Sequence, residues 1–194
     1  MKTYAFIFAR GGSKGLPNKN LLRIGGKTLM YHAVTRARNI SEIDRVIVST
    51  DSNEIAIEAI NAGAEVPFLR PPELATDESP EWLSWQHALR EILFQDNFLP
   101  DIFLSLPTTS PLREELDILN CLNVFKNTEC DAVISVTKAK KNPYFNMIKD
   151  VNGFAKIVCP QQENIARRQD APSIFELTTV CYVAKPNYIL NSTK

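Results

Sequence analysis

Residues 4–20 read YAFIFARGGSKGLPNKN and join an apolar run to a loop of unusual composition. The first six residues are continuously apolar, which is typical of a strand covered on both faces of a parallel sheet. The remaining eleven hold three glycines together with Arg10, Lys14 and Lys19, and no acidic residue. Glycine lets a backbone approach an anion closely, and ligands bind at the carboxyl ends of parallel strands. The stretch therefore predicts an anion-binding loop at the end of the first strand.

Two common phosphate-binding motifs do not account for this loop. Gly11, Gly12 and Gly15 are not followed by the Lys-Ser or Lys-Thr of a P-loop, and their spacing is G-G-x-x-G rather than the G-x-G-x-x-G of dinucleotide-binding proteins. A basic surface loop with turn glycines is the alternative interpretation. Its position after a buried strand favours the phosphate site, with successive backbone N–H groups as a possible cradle.

Apolar runs similar to the first recur along the chain and alternate with segments of helical character. The further runs occupy residues 45–50, 101–106, 131–136 and 179–184, with a shorter run at 65–68. Each is interpreted as a buried strand. Alternation of strand and helix over some 130 residues predicts right-handed βαβ units, a parallel sheet and an α/β fold.

Residues typical of helix ends lie between these strands. Ser52 and Gly63 are an N-cap and a C-cap residue that bound one helix, with Asp51 as a second candidate for the N-cap. Pro80 begins another helix. Residues 110–125 are expected to form a third, with Ser110 as N-cap and Pro111 and Arg113 in its first turn.

Length and charge restrict the class of protein. A chain of 194 residues predicts a single domain, with residues 138–176 as an irregular insertion. A formal net charge of zero argues against a nucleic-acid or membrane-surface partner. No apolar run approaches the roughly 20 residues of a membrane span, and the N-terminus lacks a signal-peptide pattern. Four scattered cysteines fit free thiols, so a cytoplasmic location is expected.

Residues 9–20, ARGGSKGLPNKN, resemble the N-terminal signature A-R-x-G-S-K-x-x-x-x-K-N of the CMP-sialic acid synthetases, or acylneuraminate cytidylyltransferases. Four more motifs follow in the family's order: VSTDS (48–52), RPPELATDESP (70–80), PTTSPLR (107–113) and RRQDAP (167–172). The resemblance covers essentially the whole chain. It implies a Rossmann-like, GT-A-like nucleotidyltransferase domain with a mostly parallel sheet flanked by helices, and a family segment beyond the C-terminus of this chain.

The activity implied by the resemblance is transfer of CMP from CTP to the anomeric hydroxyl of a nine-carbon α-keto acid sugar. Pyrophosphate leaves, and Mg²⁺ is the implied cofactor. The implied setting is a cytoplasmic homodimer that makes CMP-sialic acids for cell-surface polysaccharides. The stretch 138–147, KAKKNPYFNM, is expected to belong to an extension that reaches the partner's active site, and a solvated loop is its alternative.

The nucleotide half of the site follows from the same resemblance. Arg10, Lys14 and Lys19 are the implied catalytic cations on the CTP phosphates, which suits a reaction that depends on positioning and charge neutralisation. The implied nucleotide-binding residues are Ala9, Gly11, Gly12, Ser13, Asn20, Arg70, Asp77 and Ser79. Asp77 has three open roles: a neighbour of the metal, a contact to the base, or an N-cap for the helix from residue 80.

The sugar half rests on hydroxyl groups and arginines. The candidates are Thr108, Thr109, Ser110, Arg113, Arg168, Gln169 and Tyr182. An arginine suits the acceptor's carboxylate. The alternatives are a surface ion pair for Arg113 and an ordinary surface pair of arginines at 167–168. The chain departs from the family pattern at Pro107, where the family carries a glutamine, and at Thr178-Thr179, where it carries Asn-Gly. These exchanges favour a legionaminic- or pseudaminic-type sugar over N-acetylneuraminate.

The metal ligands are less well defined by the sequence. The family has a D-x-D pair near its C-terminus, and this chain contains no D-x-D. Asp51 is a candidate ligand, and a helix cap explains it equally well. Two alternative functions follow: a cytidylyltransferase for an eight-carbon sugar acid, or an inactive nucleotide-binding paralogue. The first usually has a G-D-E-P loop where this chain reads LPTTSP.

Overall fold

The structure is a computed structural model that describes residues 1–160 and 167–192, without the side chain of Arg168. Its strands are β1 Thr3–Phe8, β2 Arg23–Ile24, β3 Lys27–Thr28, β4 Arg45–Ser49, β5 Ile102–Ser105, β6 Ala132–Lys138, β7 Ile148–Val151, β8 Phe154–Ile157 and β9 Phe175–Ala184. Its α-helices are α1 Leu29–Arg38, α2 Asn53–Ala62, α3 Glu81–Asp96, α4 Glu115–Asn127 and α5 Pro186–Asn191. Single 3-10 turns occupy Lys19–Leu21, Pro72–Leu74 and Arg168–Asp170.

Five strands form the central sheet, in the order β4-β1-β5-β9-β6. β1 lies parallel to both β4 and β5, as expected for βαβ units. β9 pairs antiparallel with β5, so the sheet is mixed rather than fully parallel. The predicted mostly parallel α/β fold is confirmed.

Alternate residues of the inner strands face two hydrophobic cores. Ala5 and Ile7 of β1 pack with α1, α2 and α4, whose buried residues include Met30 and Leu122. The other face of β1 and β5 packs against α3 and α5 in a cluster rich in aromatic rings. Its fully buried members include Phe6, Phe103, Leu89 and Ile189. Burial on both faces explains why these strands are continuously apolar.

β6 is exposed, although the sequence predicted a buried strand there. Ile134 is 51% exposed and Val136 is 46% exposed. The reason is position, because β6 is the last strand in the sheet order and lies at the edge. The predicted short strand at 65–68 is reduced to a single bridge between Ile47 and Glu65.

Helix ends match the sequence where a local side chain sets them. The Ser52 hydroxyl accepts a hydrogen bond from the Ile55 N–H, and Gly63 ends α2 with a φ of 96°. The positive φ favours glycine here, while a Cβ would meet only the mobile end of the exposed Arg38 side chain.

The predicted start of the third helix is wrong. α4 begins at Glu115, because Glu114 and Asp117 form a capping box that fixes its first turn. Ser110 is therefore not its N-cap, and Arg113 lies before the helix rather than inside it. The residue at the N-cap of α3 is Pro80, which leaves Asp77 outside that helix and excludes its role as a cap.

The chain divides into two compact units. One comprises Met1–Ser135 and Thr179–Lys194, and the other is Val136–Thr178, a range that encloses the predicted insertion 138–176. The smaller unit contains the β7–β8 hairpin, whose turn includes Gly153 with a φ of 82°. Asp150 Oδ1 accepts the Gly153 N–H and holds that turn.

Candidate active site

A cavity of about 310 Å³ lies at the carboxyl ends of β1 and β5, within the larger unit. Ten of the predicted site residues line it: Arg10, Ser13, Lys19, Asn20, Arg70, Asp77, Ser79, Thr108, Thr109 and Tyr182. They come from five separate segments of the sequence and meet because the strands that precede most of them are neighbours in the sheet. The cavity is thus at the edge where parallel sheets bind their ligands.

The glycine-containing loop after β1 is held in place by the side chain of Asp51, which follows β4, and by a hydrogen bond within the loop. The Gly11 N–H donates to Asp51 Oδ1 at 2.9 Å, and the Ser13 N–H donates to the Gly11 carbonyl at 3.0 Å. A Cβ on Gly11 would lie 3.1 Å from the Cβ of Ser52, so glycine permits this close approach. The N–H groups of Gly11 and Ser13 are therefore bonded within the protein and are not free to bind an anion.

Asp77 pairs with two of the three predicted catalytic cations. Its carboxylate forms an ion pair with Arg10, and its other oxygen lies 2.6 Å from Lys14 Nζ. The Lys14 and Arg10 side chains hold the pKa of the Asp77 carboxyl below its usual range. The loop lacks an acidic residue of its own, but an acidic residue 67 positions after Arg10 supplies the counter-charge.

Lys19 and Arg70 present positive charge from two different environments. Lys19 lines the cavity and forms no ion pair with any described residue. Arg70 is 6% exposed, and its Nε donates to Ser49 Oγ at 3.1 Å while a terminal nitrogen donates to the Ser49 carbonyl at 2.5 Å. Burial lowers the pKa of the Arg70 guanidinium. Ser49, the last residue of β4, thus fixes the Arg70 guanidinium at the cavity wall.

Asn20 joins the nucleotide loop to the loop after β5. Its amide nitrogen donates to the Arg10 carbonyl at 3.0 Å, and its side-chain oxygen accepts the Thr108 hydroxyl at 2.6 Å. Both Asn20 and Thr108 are buried. Asn20 therefore positions the backbone beside Arg10 rather than projecting into open space.

The predicted sugar-binding residues divide into two groups. Thr108, Thr109 and Tyr182 line the cavity, and the Ser110 hydroxyl lies 2.8 Å from the Thr179 hydroxyl beside it. Burial raises the pKa of the Tyr182 phenol, which keeps it protonated as a donor. Hydroxyl groups of this kind suit a polyhydroxylated ligand.

Arg113 does not line this cavity, and Arg168 and Gln169 belong to the smaller unit. Arg113 is 5% exposed, and its Nε donates to the Ser110 carbonyl at 3.0 Å. Its two terminal nitrogens are buried without an acceptor among the described residues, and burial lowers the pKa of Arg113 to about 10. Arg168 lies in a 3-10 turn of the smaller unit, where Gln169 lines a separate cavity with Asn142.

Sequence reasoning missed several residues that line the cavity. They are Phe8, Leu74, Thr76, Glu81 and Ser84, beside Pro107 and Thr179, which were noted only as departures from the family. Phe8 is the last residue of β1, so its place at a strand end could have indicated it. Glu81 and Ser84 belong to the first turn of α3, and only the folded loop 71–80 brings that turn to the cavity.

Carboxylates near the cavity are few. Among residues 1–160 and 167–192, no three or more His, Cys, Asp or Glu side chains are grouped as a metal site. Asp77 and Glu81 line the cavity, and Asp51 borders it through its bond to Gly11. Mg²⁺ commonly binds one or two carboxylates together with substrate phosphates, so this donor set fits an ion carried largely by a nucleotide.

In the part of the chain that is described, no helix is long and apolar enough to cross a bilayer.

A mostly parallel α/β sheet with cations and hydroxyls gathered at its strand ends defines a nucleotidyltransferase-type protein. Its sequence matches the cytidylyltransferase family over residues 4–190, and the chain belongs to that family. One similar solved structure, that of CMP:2-keto-3-deoxy-manno-octonic acid synthetase complexed with CTP, has a TM-score of 0.70 and is 20% identical in sequence. The match covers 98% of this chain and 77% of that one, and it supports the fold.

Relatives at higher identity have names that describe sugar activation or flagellin modification. The chain is 34% identical over 188 residues to the CMP-N,N'-diacetyllegionaminic acid synthase of Campylobacter jejuni, covering 96% of this chain and 78% of that protein. It is 33% identical, with the same coverage, to the post-translational flagellin modification protein B of Campylobacter coli. It is 38% identical over 119 residues to the pseudaminic acid cytidylyltransferase of Campylobacter jejuni, covering 61% of this chain and 50% of that protein. The predicted family is confirmed.

Proposed function

We propose that this protein transfers CMP from CTP to the anomeric hydroxyl of a nonulosonic α-keto acid sugar and releases pyrophosphate. The observation that carries the proposal is the cavity at the ends of β1 and β5, where Arg10, Lys19 and Arg70 meet the hydroxyls of Thr108 and Thr109. The cations suit a polyphosphate and the hydroxyls suit a sugar, so both substrates have matching chemistry in one site.

The nucleotide half of the reaction depends on positive charge. Nucleotidyl transfer needs the attacking oxygen in line with the leaving group and the developing charge neutralised. Lys19 and Arg10 supply that charge to the leaving pyrophosphate, and Arg70 is placed for the nucleoside side of the cavity. No side chain has to act as a covalent nucleophile, which agrees with a lining dominated by donors.

Mg²⁺ is part of the proposal. When bound, it would supply positive charge that neutralises the negative charge of the leaving pyrophosphate. Glu81, which lines the cavity, and Asp51, which contacts the loop at Gly11, are the carboxylates that would hold it with the nucleotide, because Asp77 is paired with Arg10 and Lys14. Asp51 already accepts the Gly11 N–H with one oxygen, so at most its second oxygen is available to a metal.

A nine-carbon acceptor of the legionaminic or pseudaminic type is the substrate we favour. Pro107 lines the cavity where the resembled family has glutamine, and Thr179 lines it where that family has glycine. Both exchanges change the acceptor side of the cavity, and the C. jejuni relative is named as a legionaminic acid synthase. A cytoplasmic location and a role in supplying activated sugars to cell-surface polysaccharides complete the proposal.

A homodimer is proposed from the exposed apolar residues of two strands. β6 presents Ile134 and Val136, and β9 presents Phe175 and Leu177, which are 59% and 68% exposed. Exposed apolar surface on an edge strand is typical of a subunit interface. Sedimentation of the wild-type protein and of an Ile134→Asp variant would measure the oligomeric state directly.

Pyrophosphate release from CTP and Mg²⁺ is the test of the activity. The acceptor panel should contain legionaminic, pseudaminic and N-acetylneuraminic acids together with an eight-carbon keto sugar acid. We expect release with at least one nine-carbon acid and with CTP in preference to ATP, GTP or UTP. Release only with the eight-carbon acid would replace this proposal, and tight CTP binding without any release would favour an inactive nucleotide-binding paralogue.

A further inference from the structure

Arg10 and Lys14, two of the three cations predicted to bind the CTP phosphates, already hold an anion of the protein. The Asp77 carboxylate bridges Arg10 and Lys14, with its second oxygen 2.6 Å from Lys14 Nζ. Arg10 additionally donates to the Ala75 carbonyl at 3.5 Å. A carboxylate bound between a guanidinium and an ammonium resembles a phosphate in charge and in acceptor geometry.

We infer that Asp77 is an internal competitor for the pyrophosphate portion of the nucleotide, displaced when CTP binds and returning to Arg10 and Lys14 when pyrophosphate leaves. The inference rests on the proposed function for the identity of the ligand. It gives Asp77 a positioning role in ligand exchange rather than a role at the reacting atoms.

The loop that carries Asp77 is built to reach the cavity. Residues Thr76, Asp77 and Ser79 all line it, and the Ser79 N–H donates to Thr76 Oγ1 at 3.1 Å, which shapes the turn around Asp77. The Ser79 hydroxyl is buried without an acceptor among the described residues. The side chains of Arg10 and Asp77 are each about one-third exposed, so the ion pair is accessible to an incoming anion.

Lys19 makes the competition selective. It lines the same cavity and has no ion pair with a described residue, so a single phosphate group can bind it without disturbing Asp77. A polyphosphate that extends from Lys19 to Arg10 and Lys14 must displace the carboxylate. Removing the carboxylate's charge should therefore strengthen binding of pyrophosphate and triphosphate, and leave binding of CMP almost unchanged.

An Asp77→Asn variant tests this, because the amide keeps the size of the side chain and removes its charge. Titration calorimetry without metal would measure the binding of inorganic pyrophosphate, inorganic triphosphate, CTP and CMP. We expect pyrophosphate and triphosphate to bind about tenfold tighter than in the wild type, as for loss of one charge-assisted competitor, and CMP to change less than about twofold. Glu78→Gln is the matched control, since Glu78 is the exposed neighbour and forms no ion pair among the described residues.

Equal or weaker pyrophosphate binding by Asp77→Asn, in a protein that unfolds at the wild-type temperature, would overturn the inference. In that case Asp77 orders Arg10 and Lys14 for the ligand instead of competing with it. A tenfold gain shared equally by CMP or by Glu78→Gln would also overturn it, because the effect would then be general electrostatics. Because the probes include inorganic polyphosphates, a gain in Asp77→Asn supports the inference even if no sugar acid yields pyrophosphate from CTP.

Discussion

The hydroxyl of Thr108 donates a 2.6 Å hydrogen bond to the side-chain oxygen of Asn20, although the two residues are 88 positions apart. The Asn20 amide nitrogen in turn donates to the Arg10 carbonyl. This chain of contacts links the loop after β5, which faces the proposed sugar, to the loop after β1, which faces the proposed triphosphate. The loop that faces the proposed sugar and the loop that faces the proposed triphosphate are therefore joined by buried hydrogen bonds of the Asn20 side chain.

Replacing Thr108 with valine should damage both stability and activity. Valine keeps the shape and leaves the buried Asn20 oxygen without its donor, which costs roughly 1–3 kcal/mol of unfolding free energy. Urea unfolding measures that loss, and kcat/KM for CTP should fall because the Asn20 contact beside Arg10 is loosened. Thr109→Val is the control: Thr109 lines the cavity but is exposed, so its stability should change by less than about 0.5 kcal/mol. Equal losses of unfolding free energy in Thr108→Val and Thr109→Val would contradict a specific role for the hydrogen bond of Thr108.

Replacing Arg70 with lysine should not be conservative. The guanidinium donates to both the hydroxyl and the carbonyl of Ser49 from within a buried site, and an ammonium lacks that fork. We expect a loss of roughly 1–3 kcal/mol in unfolding free energy and a higher KM for CTP. Arg90→Lys is the matched control, because Arg90 is exposed and contacts only Gln86 in the described hydrogen bonds. A wild-type KM for CTP in the Arg70→Lys enzyme would show that the Arg70 guanidinium does not contribute to nucleotide binding.

Local signals in the sequence were sufficient for the parts of the fold that are themselves local. The apolar run before Arg10 predicted β1, and Ser52 with Gly63 predicted the ends of α2, because each depends on neighbours within a few residues. Arg10 and Lys19 predicted one side of the cavity, because they follow β1 within a few residues.

Features set by distant residues could not be predicted in the same way. The sequence left three roles open for Asp77, and only the fold brings its carboxylate between Arg10 and Lys14. The beginning of α4 was misplaced because a Ser-Pro pair resembles a helix start, while the capping box of Glu114 gives a more complete set of bonds four residues later. The antiparallel pairing of β9 with β5 depends on the path of the chain between these two strands, which no local pattern in the sequence specifies.

Acidification should destabilise the protein through His87. Burial lowers the pKa of His87, and its Nδ1 has no acceptor among the described residues while its Nε2 lies 3.7 Å from Glu91. The unfolded chain then binds a proton more readily than the folded one, so stability is full above about pH 6.5 and falls as the pH drops toward the lower folded pKa. Urea midpoints at pH 7.5 and pH 5.5 measure the loss.

A His87→Gln variant should reduce that pH dependence, because it removes the titrating ring. The matched control is His32→Gln, since His32 lies in α1 and contacts the Ile24 carbonyl at a different part of the surface. That control should keep the wild-type difference between the two pH values. A His87→Gln protein with the same difference as the wild type would assign the acid sensitivity to other groups.

Lys19→Ala should remove most of the activity without unfolding the protein. Lys19 lines the cavity and has no ion pair with a described residue, so its charge is available to the phosphates and is not needed for the fold. Loss of one such charge at the leaving group should lower kcat/KM by about 10²–10³-fold, while the thermal midpoint stays within about 2 °C. Lys27→Ala is the control, because Lys27 is exposed and lies over the Tyr31 ring. If Lys19→Ala turned over CTP as fast as Lys27→Ala, the triphosphate would have to bind through Arg10 and Lys14 instead, and those two cations are the ones that Asp77 already occupies.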